Sequence, residues 1–420
     1  MDNVGSQEQV DALNQVLVDF SQQARFAFDQ HNYVLAHQLV TQVLNLVPNH
    51  PIALSDLAIA ELRLGYYESA YQNFITALEA SGDQVSINLY DGLTETCYFL
   101  GKAKEQKKYG RLAVEMRKNE VIDEPFLALP NYKAPIFNSN NPKENIISYS
   151  LYGTDVRYCE YAVLNAQRAL EIYPEWRCRF YVDDTVPRHV VSRLIQFQAQ
   201  IVFVNEKMKS IHGLFWRFLV IDDPNVKRFL IRDADSLLSY REKMAVEEWI
   251  RSEKWFHTMH DSKDHVELML AGMWGGCTGI FSNTLNNIHH FVESQRYMSM
   301  NVVDQHYLRY CIWPTVKQSV FINDSQGYDL NGVKFNSQAN LLDRDLDEAF
   351  YVGRVEINKQ LILRIQEEGV DIFTWVLKDE DNNQICFYDF KSSGRKEVEI
   401  LMPDHYIENI LSGKWSLSIL

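Results

Sequence analysis

The chain has little of what would hold it outside a reducing compartment or in a bilayer. Its six cysteines, Cys97, Cys159, Cys178, Cys277, Cys311 and Cys386, form no C-x-x-C pair and no dense framework, which argues against a disulfide-stapled scaffold. No apolar run approaches the roughly 20 residues of a membrane span. The opening Met-Asp-Asn-Val-Gly-Ser-Gln-Glu-Gln lacks the basic and apolar regions of a secretion signal. The expectation is a cytoplasmic protein with reduced, mostly buried thiols. Positive charge is also short, 41 Lys and Arg against 56 Asp and Glu for a net charge of -15. That balance argues against a general nucleic-acid binder, which gains affinity by neutralising phosphates, and against a membrane surface. The basic cluster Lys102, Lys104, Lys107, Lys108, Arg111, Arg117 and Lys118 reads as a solvated helix face.

What is present is enough to fold several cores. The chain has 420 residues, 46% hydrophobic and 23% charged, the usage of globular proteins, and its length suggests two or three domains. Residues 1–120 read as successive amphipathic helices, broken at Pro48-Asn-His-Pro51 and Ser81-Gly-Asp83. Small residues recur with a spacing of 34, at Ala24, Ala58 and Gly92 and at Ala36 and Ala70. That is the tetratricopeptide period, in which each helix pair needs a small residue where its helices touch and another where the next pair stacks. Phe74 and Ala77 fit the pattern; Lys104 departs from it. Such a domain implies a surface for binding a partner or for forming a homo-oligomer through the repeats.

Residues 121–144 are rich in Pro and Asn and read as a linker. From Asn145 to residue 345 strands alternate with helices: strands at Ile146–Leu151, Arg179–Val182, Gln200–Val204 and Arg228–Ile231, helices at Tyr158–Tyr173 and Pro187–Gln198. This alternation predicts a Rossmann-like α/β domain with a parallel sheet and a ligand at the carboxyl ends of its strands. Residues 346–420 turn to short alternating runs, Phe350–Ile357, Leu361–Ile365, Asp371–Leu377, Gln384–Phe390 and Glu397–Leu401, separated by turn signals such as Asp381-Asn-Asn383 and Ser392-Ser-Gly394. They read as a small β-rich domain.

The fourth strand runs into Asp233-Ala-Asp235. Two carboxylates at i and i+2 past a buried strand can hold a hard divalent cation through oxygen, with the remaining ligands taken from substrate phosphates. An acidic turn alone is common; its place at a strand tip, after Arg217 on the helix-like Leu214–Leu219, is what singles it out. The blocks around it, Phe215-Trp-Arg-Phe218, Arg232-Asp-Ala-Asp-Ser236, Arg241-Glu242, Ala245-Val-Glu-Glu-Trp249, His257-Thr-Met-His-Asp261, His265, Gly272-Met-Trp-Gly275 and Asp304-Gln305, resemble the successive signatures of a glycosyltransferase family with the GT-A fold. The pattern is departed from at His260, at Ser262-Lys-Asp264 and at Ala271.

The resemblance implies a nucleotide-sugar donor, Mn2+ or Mg2+, and transfer of a sugar to a protein, peptide or glycan acceptor. It implies that Asp233 and Asp235 hold the metal and diphosphate, with Arg217 as phosphate partner and Tyr149, Ser150 and Leu151 beside the nucleoside. Asp261, His265, Gly272, Trp274 and Gln305 would face the sugar or acceptor, and Asp304 and Asp261 are the candidate catalytic carboxylates. Stereochemistry stays open. Two other readings remain: a non-catalytic, repeat-mediated scaffold with a transferase-like fold, and a phosphatase in which the first Asp is a nucleophile. The second expects its motif on the first strand of the domain rather than the fourth.

Overall fold

The computed structural model describes residues 2–343, 346, 350–355, 361–364, 372–391 and 397–419. The chain divides into two compact units. One comprises Met1–Ile122 with Lys263–Leu268 and Gln326–Leu330, the other Asp123–Ser262, Met269–Ser325 and Asn331–Leu420.

The first unit is helical: α1 (Asp2–Asp29), α2 (Tyr33–Leu46), α3 (Pro51–Leu64), α4 (Tyr67–Ser81), α5 (Ile87–Phe99) and α6 (Ala103–Glu120). Pro51 opens α3, where its missing N–H costs nothing, and Gly65 ends it at φ +83. The 34-residue spacing marks where helices meet. Ala36, Ala58, Ala70 and Ala77 are fully buried, and a Cβ on Gly92 would run into the Phe74 ring. Lys104 is exposed. The basic cluster is not wholly a solvated face, however. Arg117 is buried, bonded to Asp91 at 2.6 and 2.9 Å and paired with Glu267 at 3.2 Å, and Lys118 pairs with Asp329 at 2.8 Å. The carboxylates of the two inserted segments turn that end of α6 inward.

The second unit is built on a seven-stranded sheet. Its elements are β1 (Asn145–Leu151), α7 (Val156–Ile172), β2 (Arg177–Val182), α8 (Arg188–Gln196), β3 (Gln200–Phe203), α9 (Glu206–Lys209), the 3-10 segment Gly213–Asp222, β4 (Arg228–Arg232), α10 (Tyr240–Arg251), β5 (Phe256–His260), β6 (Met273–Cys277), α11 (Thr284–Glu293), α12 (Val303–Tyr307), α13 (Trp313–Val316) and β7 (Val320–Asp324). The order is β3-β2-β1-β4-β6-β5-β7. The first four strands are parallel, as their alternation with helices predicts. The sheet as a whole is mixed, which corrects the all-parallel expectation: β6 runs antiparallel to both β4 and β5. Of residues 121–144, residues 121–141 carry no helix or strand, Pro142–Glu144 form a 3-10 turn, and from Asp123 the segment is part of the second unit.

Toward the C-terminus, β8 (Leu361–Arg364), β9 (Ile372–Lys378), β10 (Gln384–Lys391), β11 (Glu397–Ile400), α14 (Asp404–Leu411) and β12 (Ser416–Ile419) form sheets ordered β10-β9-β12 and β11-β8. The β-rich expectation holds, with one helix it did not include. Of the run Phe350–Ile357 only residues 350–355 are described, contributing an isolated bridge from Val355 to Ser236. Ile365, Asp371, the turn Ser392-Ser-Gly394 and the domain boundary at residue 345 lie outside the described residues. Among the described residues no helix is long and apolar enough to cross a membrane.

Candidate functional site

β1 and β4 are parallel neighbours, so their carboxyl ends emerge on one edge of the sheet. There the chain leaves β4 as Asp233-Ala-Asp235 and leaves β1 as Tyr152-Gly-Thr-Asp155, which caps α7 through a bond from Arg157 N to Asp155 at 2.9 Å. Between them opens a cavity of about 740 Å³ whose walls include Ser150, Tyr152, Tyr158, Arg217, Asp233 and Asp235.

Arg217 is the centre of the charge network. Its backbone is pinned to β1 on both sides: Ser148 Oγ donates to its carbonyl at 2.7 Å, and its own N–H donates to Ser150 Oγ at 2.9 Å. The guanidinium donates to Asp233 Oδ1 and, at 2.9 Å, to Asp304 Oδ2. Burial disfavours the Arg217 charge, but Asp233 and Asp304 outweigh it and raise its pKa. Asp304 is buried as well, and burial lifts its carboxyl above the usual range against the pull of Arg217. Asp235 is pushed up to about 6 by burial and by the like charge of Asp233, opposed by Arg157, whose Nη2 lies 3.6 Å away.

Two further residues shape the acidic loop. Asn165, inside α7, donates to the carbonyls of Ala234 (3.1 Å) and Ser236 (2.9 Å) and accepts from Leu238 N (2.9 Å). Gly272 lies against the Asp233 carboxylate, in space that any Cβ would fill. The backbone leading to it is clamped by Gln305, whose side chain donates to Met269 O and accepts from Ala271 N at 3.0 Å.

The structure therefore gathers Ser150, Leu151, Arg217, Asp233 and Asp235 around one cavity, with Asp304 joined through Arg217 and Gly272 and Gln305 through the Asp233 side. The other candidates are placed elsewhere. Tyr149 points to the opposite face of β1, fully buried and stacked on Phe180 at 4.7 Å. Trp274 is a core residue between Phe218 and Phe229. Asp261 is engaged by Arg241 at 2.6 and 2.7 Å and by Val352 N at 2.9 Å. His265 belongs to the segment that clusters with the helical unit. His257 is a buried core residue bonded to Asn323 at 2.8 Å, its pKa lowered to about 3 by burial.

No protein-family model matches the chain, and no curated protein does. Among solved structures, the Sgt2 tetratricopeptide domain of Aspergillus fumigatus is 18% identical, over 28% of this chain and 89% of its own, with a TM-score of 0.22. A mutant O-GlcNAc transferase of Thermobaculum terrenum is 11% identical, over 52% of this chain and 46% of its own, with a TM-score of 0.26. The chain thus spans under half of that transferase.

The donor set suits a hard cation. Two carboxylates sit side by side, and one of them, Asp235, already has a raised proton affinity because its charge is buried beside Asp233; a divalent ion held through oxygen would relieve both strains. Among the described residues no group of three or more His, Cys, Asp and Glu is placed to hold a metal. Arg217 Nε and Arg157 Nε are buried without a hydrogen-bond partner among the described residues. Sequence reasoning missed Arg157, Tyr158 and Asn165. The Asp155 cap marks the start of α7 and hence Arg157 and Tyr158, but nothing local marks Asn165.

At the opposite edge, where β1 and β2 begin, a larger cavity of about 890 Å³ is bounded by Pro142, Lys143, Trp176, Arg177 and Phe197, with no carboxylate among its lining residues.

Proposed function

We propose that the chain transfers a sugar from a nucleoside-diphosphate donor to a hydroxyl of a protein, peptide or glycan. The observation that carries this reading is the pair Asp233 and Asp235 at the tip of β4, lining a cavity of about 740 Å³, with Asp233 bonded to the buried Arg217. In this reading the two carboxylates hold Mn2+ or Mg2+, and the bound ion supplies positive charge against the negative charge that grows on the leaving diphosphate. Arg217 and Arg157 contribute cationic donors to the phosphates. Tyr152 and Tyr158 wall the nucleoside, and Ser150 and Leu151 form its floor. Asp304 acts through Arg217, holding the guanidinium in place.

The test is a thermal-shift screen of nucleotide sugars with and without Mn2+, followed by assay of released nucleoside diphosphate. A selective donor stabilises the native state by mass action. Asp233→Asn and Asp235→Asn should each abolish the Mn2+-dependent shift and lower turnover by at least about 100-fold. Absence of any metal-dependent shift or turnover across the common nucleotide sugars would favour the scaffold reading instead.

A further inference from the structure

The α7 helix holds the acidic loop from one side. Arg157 in its first turn reaches Asp235, and Asn165 two turns on bonds Ala234 O, Ser236 O and Leu238 N, while Arg168 Nε donates to Leu238 O at 2.9 Å. These polar ties between α7 and residues 234–238 depend on where α7 lies.

What holds α7 from its other side is Glu160. Its side chain is completely buried, and each oxygen is shared between a cation and a phenol. Arg193 of α8 donates to both oxygens, at 2.7 and 2.9 Å. Tyr388 of β10 donates its hydroxyl to Oε1 at 2.6 Å, and Tyr406 of α14 donates to Oε2 at 3.0 Å. The phenols are themselves fixed by packing: Tyr388 against Trp375 and His189, at 5.2 and 5.0 Å between ring centres, and Tyr406 against Trp415 at 5.0 Å. A buried carboxylate is stable only when its lone pairs are met, so its partners dictate where it sits.

We propose that β10 and α14 brace the acidic loop through α7, with Tyr388 and Tyr406 as positioning residues for Asp235. The C-terminal β-rich segment then serves the site through a relay: its two hydroxyls set the place of Glu160, Glu160 sets α7, and α7 sets residues 234–238. The consequence for donor binding rests on the reading of Asp233 and Asp235 given above; the mechanical coupling does not.

The experiment compares the full-length chain with a Tyr388→Phe, Tyr406→Phe double variant, each single variant standing in if the pair does not fold. Hydrogen exchange is followed by peptide, and binding of UDP and GDP with Mn2+ is titrated. Amides in peptides covering 233–239 are expected to exchange about tenfold faster in the variant, while β1, β2 and β3 keep their protection and Mn2+-dependent nucleotide binding weakens. Faster exchange confined to residues 384–411, or spread uniformly through β1–β3, overturns the brace. If the unaltered protein binds neither nucleotide with Mn2+, the donor-site reading fails and the exchange comparison still decides the brace.

Discussion

The two edges of the central sheet carry cavities of similar size and opposite chemistry. The larger, about 890 Å³, has cations and carboxamides on its rim and no carboxylate. The smaller, about 740 Å³, is lined by three aspartates, Asp155, Asp233 and Asp235, and by a buried arginine that binds both Asp233 and Asp304. On the proposed reading, buried charge rather than volume marks the site. Buried charge costs free energy, and at this edge the cost is met by pairing Arg217 with Asp233 and Asp304. The carboxyl ends of β1 and β4 are also where open α/β sheets leave a crevice.

The sharpest way to break this comparison is to remove Arg217. Arg217→Met leaves Asp304 buried without its counter-charge and should cost on the order of 3–5 kcal/mol in urea unfolding, with part of the loss recovered when Asp304→Asn is added. A loss too small to measure would mean the network carries no buried charge, and the contrast would collapse. Next comes Gly272→Ala, which adds one methyl group against the Asp233 carboxylate. It should lower stability by only about 1–3 kcal/mol while reducing metal-dependent nucleotide binding or turnover by roughly 100-fold, because small displacements of reacting groups are costly. Equal loss of both would make Gly272 a packing residue only. The smallest effect is expected at the other edge: Arg177→Gln, which removes the bond from Arg177 Nε to Gln198 O, should change stability by no more than about 0.5 kcal/mol and leave the Mn2+-dependent thermal shift as it was. A change in that shift would move the site to the larger cavity.

How far the sequence discloses this arrangement differs between the two halves of the sheet. β1 to β4 are legible because their apolar runs alternate with amphipathic helices, and Asp233 and Asp235 are legible because they follow such a run. β5 and β6 break the pattern from which strands are read. His257, Thr258 and His260 of β5 are polar yet buried, and β6 carries Gly275 and Gly276, which would ordinarily argue against a strand. Both glycines are there for space: a Cβ on Gly275 would press on Phe229 O, and one on Gly276 on the Phe256 ring. With β6 unread, its antiparallel direction cannot be foreseen. Tyr149 and Trp274 belong to informative blocks, but strand alternation sends Tyr149 away from the face that Ser148 and Ser150 use. Asn165 escapes for the opposite reason, since a polar residue within a helix resembles the solvent face until its partners 69 and 71 residues away are in place.

The Glu160 knot also bears on the order in which the molecule can be made. A chain emerging from the ribosome delivers Glu160 and Arg193 long before Tyr388 and Tyr406, and domains tend to fold as their residues appear. The strands and helices from β1 to β7 can assemble early, but the carboxylate at the heart of α7 lacks the hydroxyls of Tyr388 and Tyr406 until β10 and α14 have been synthesised.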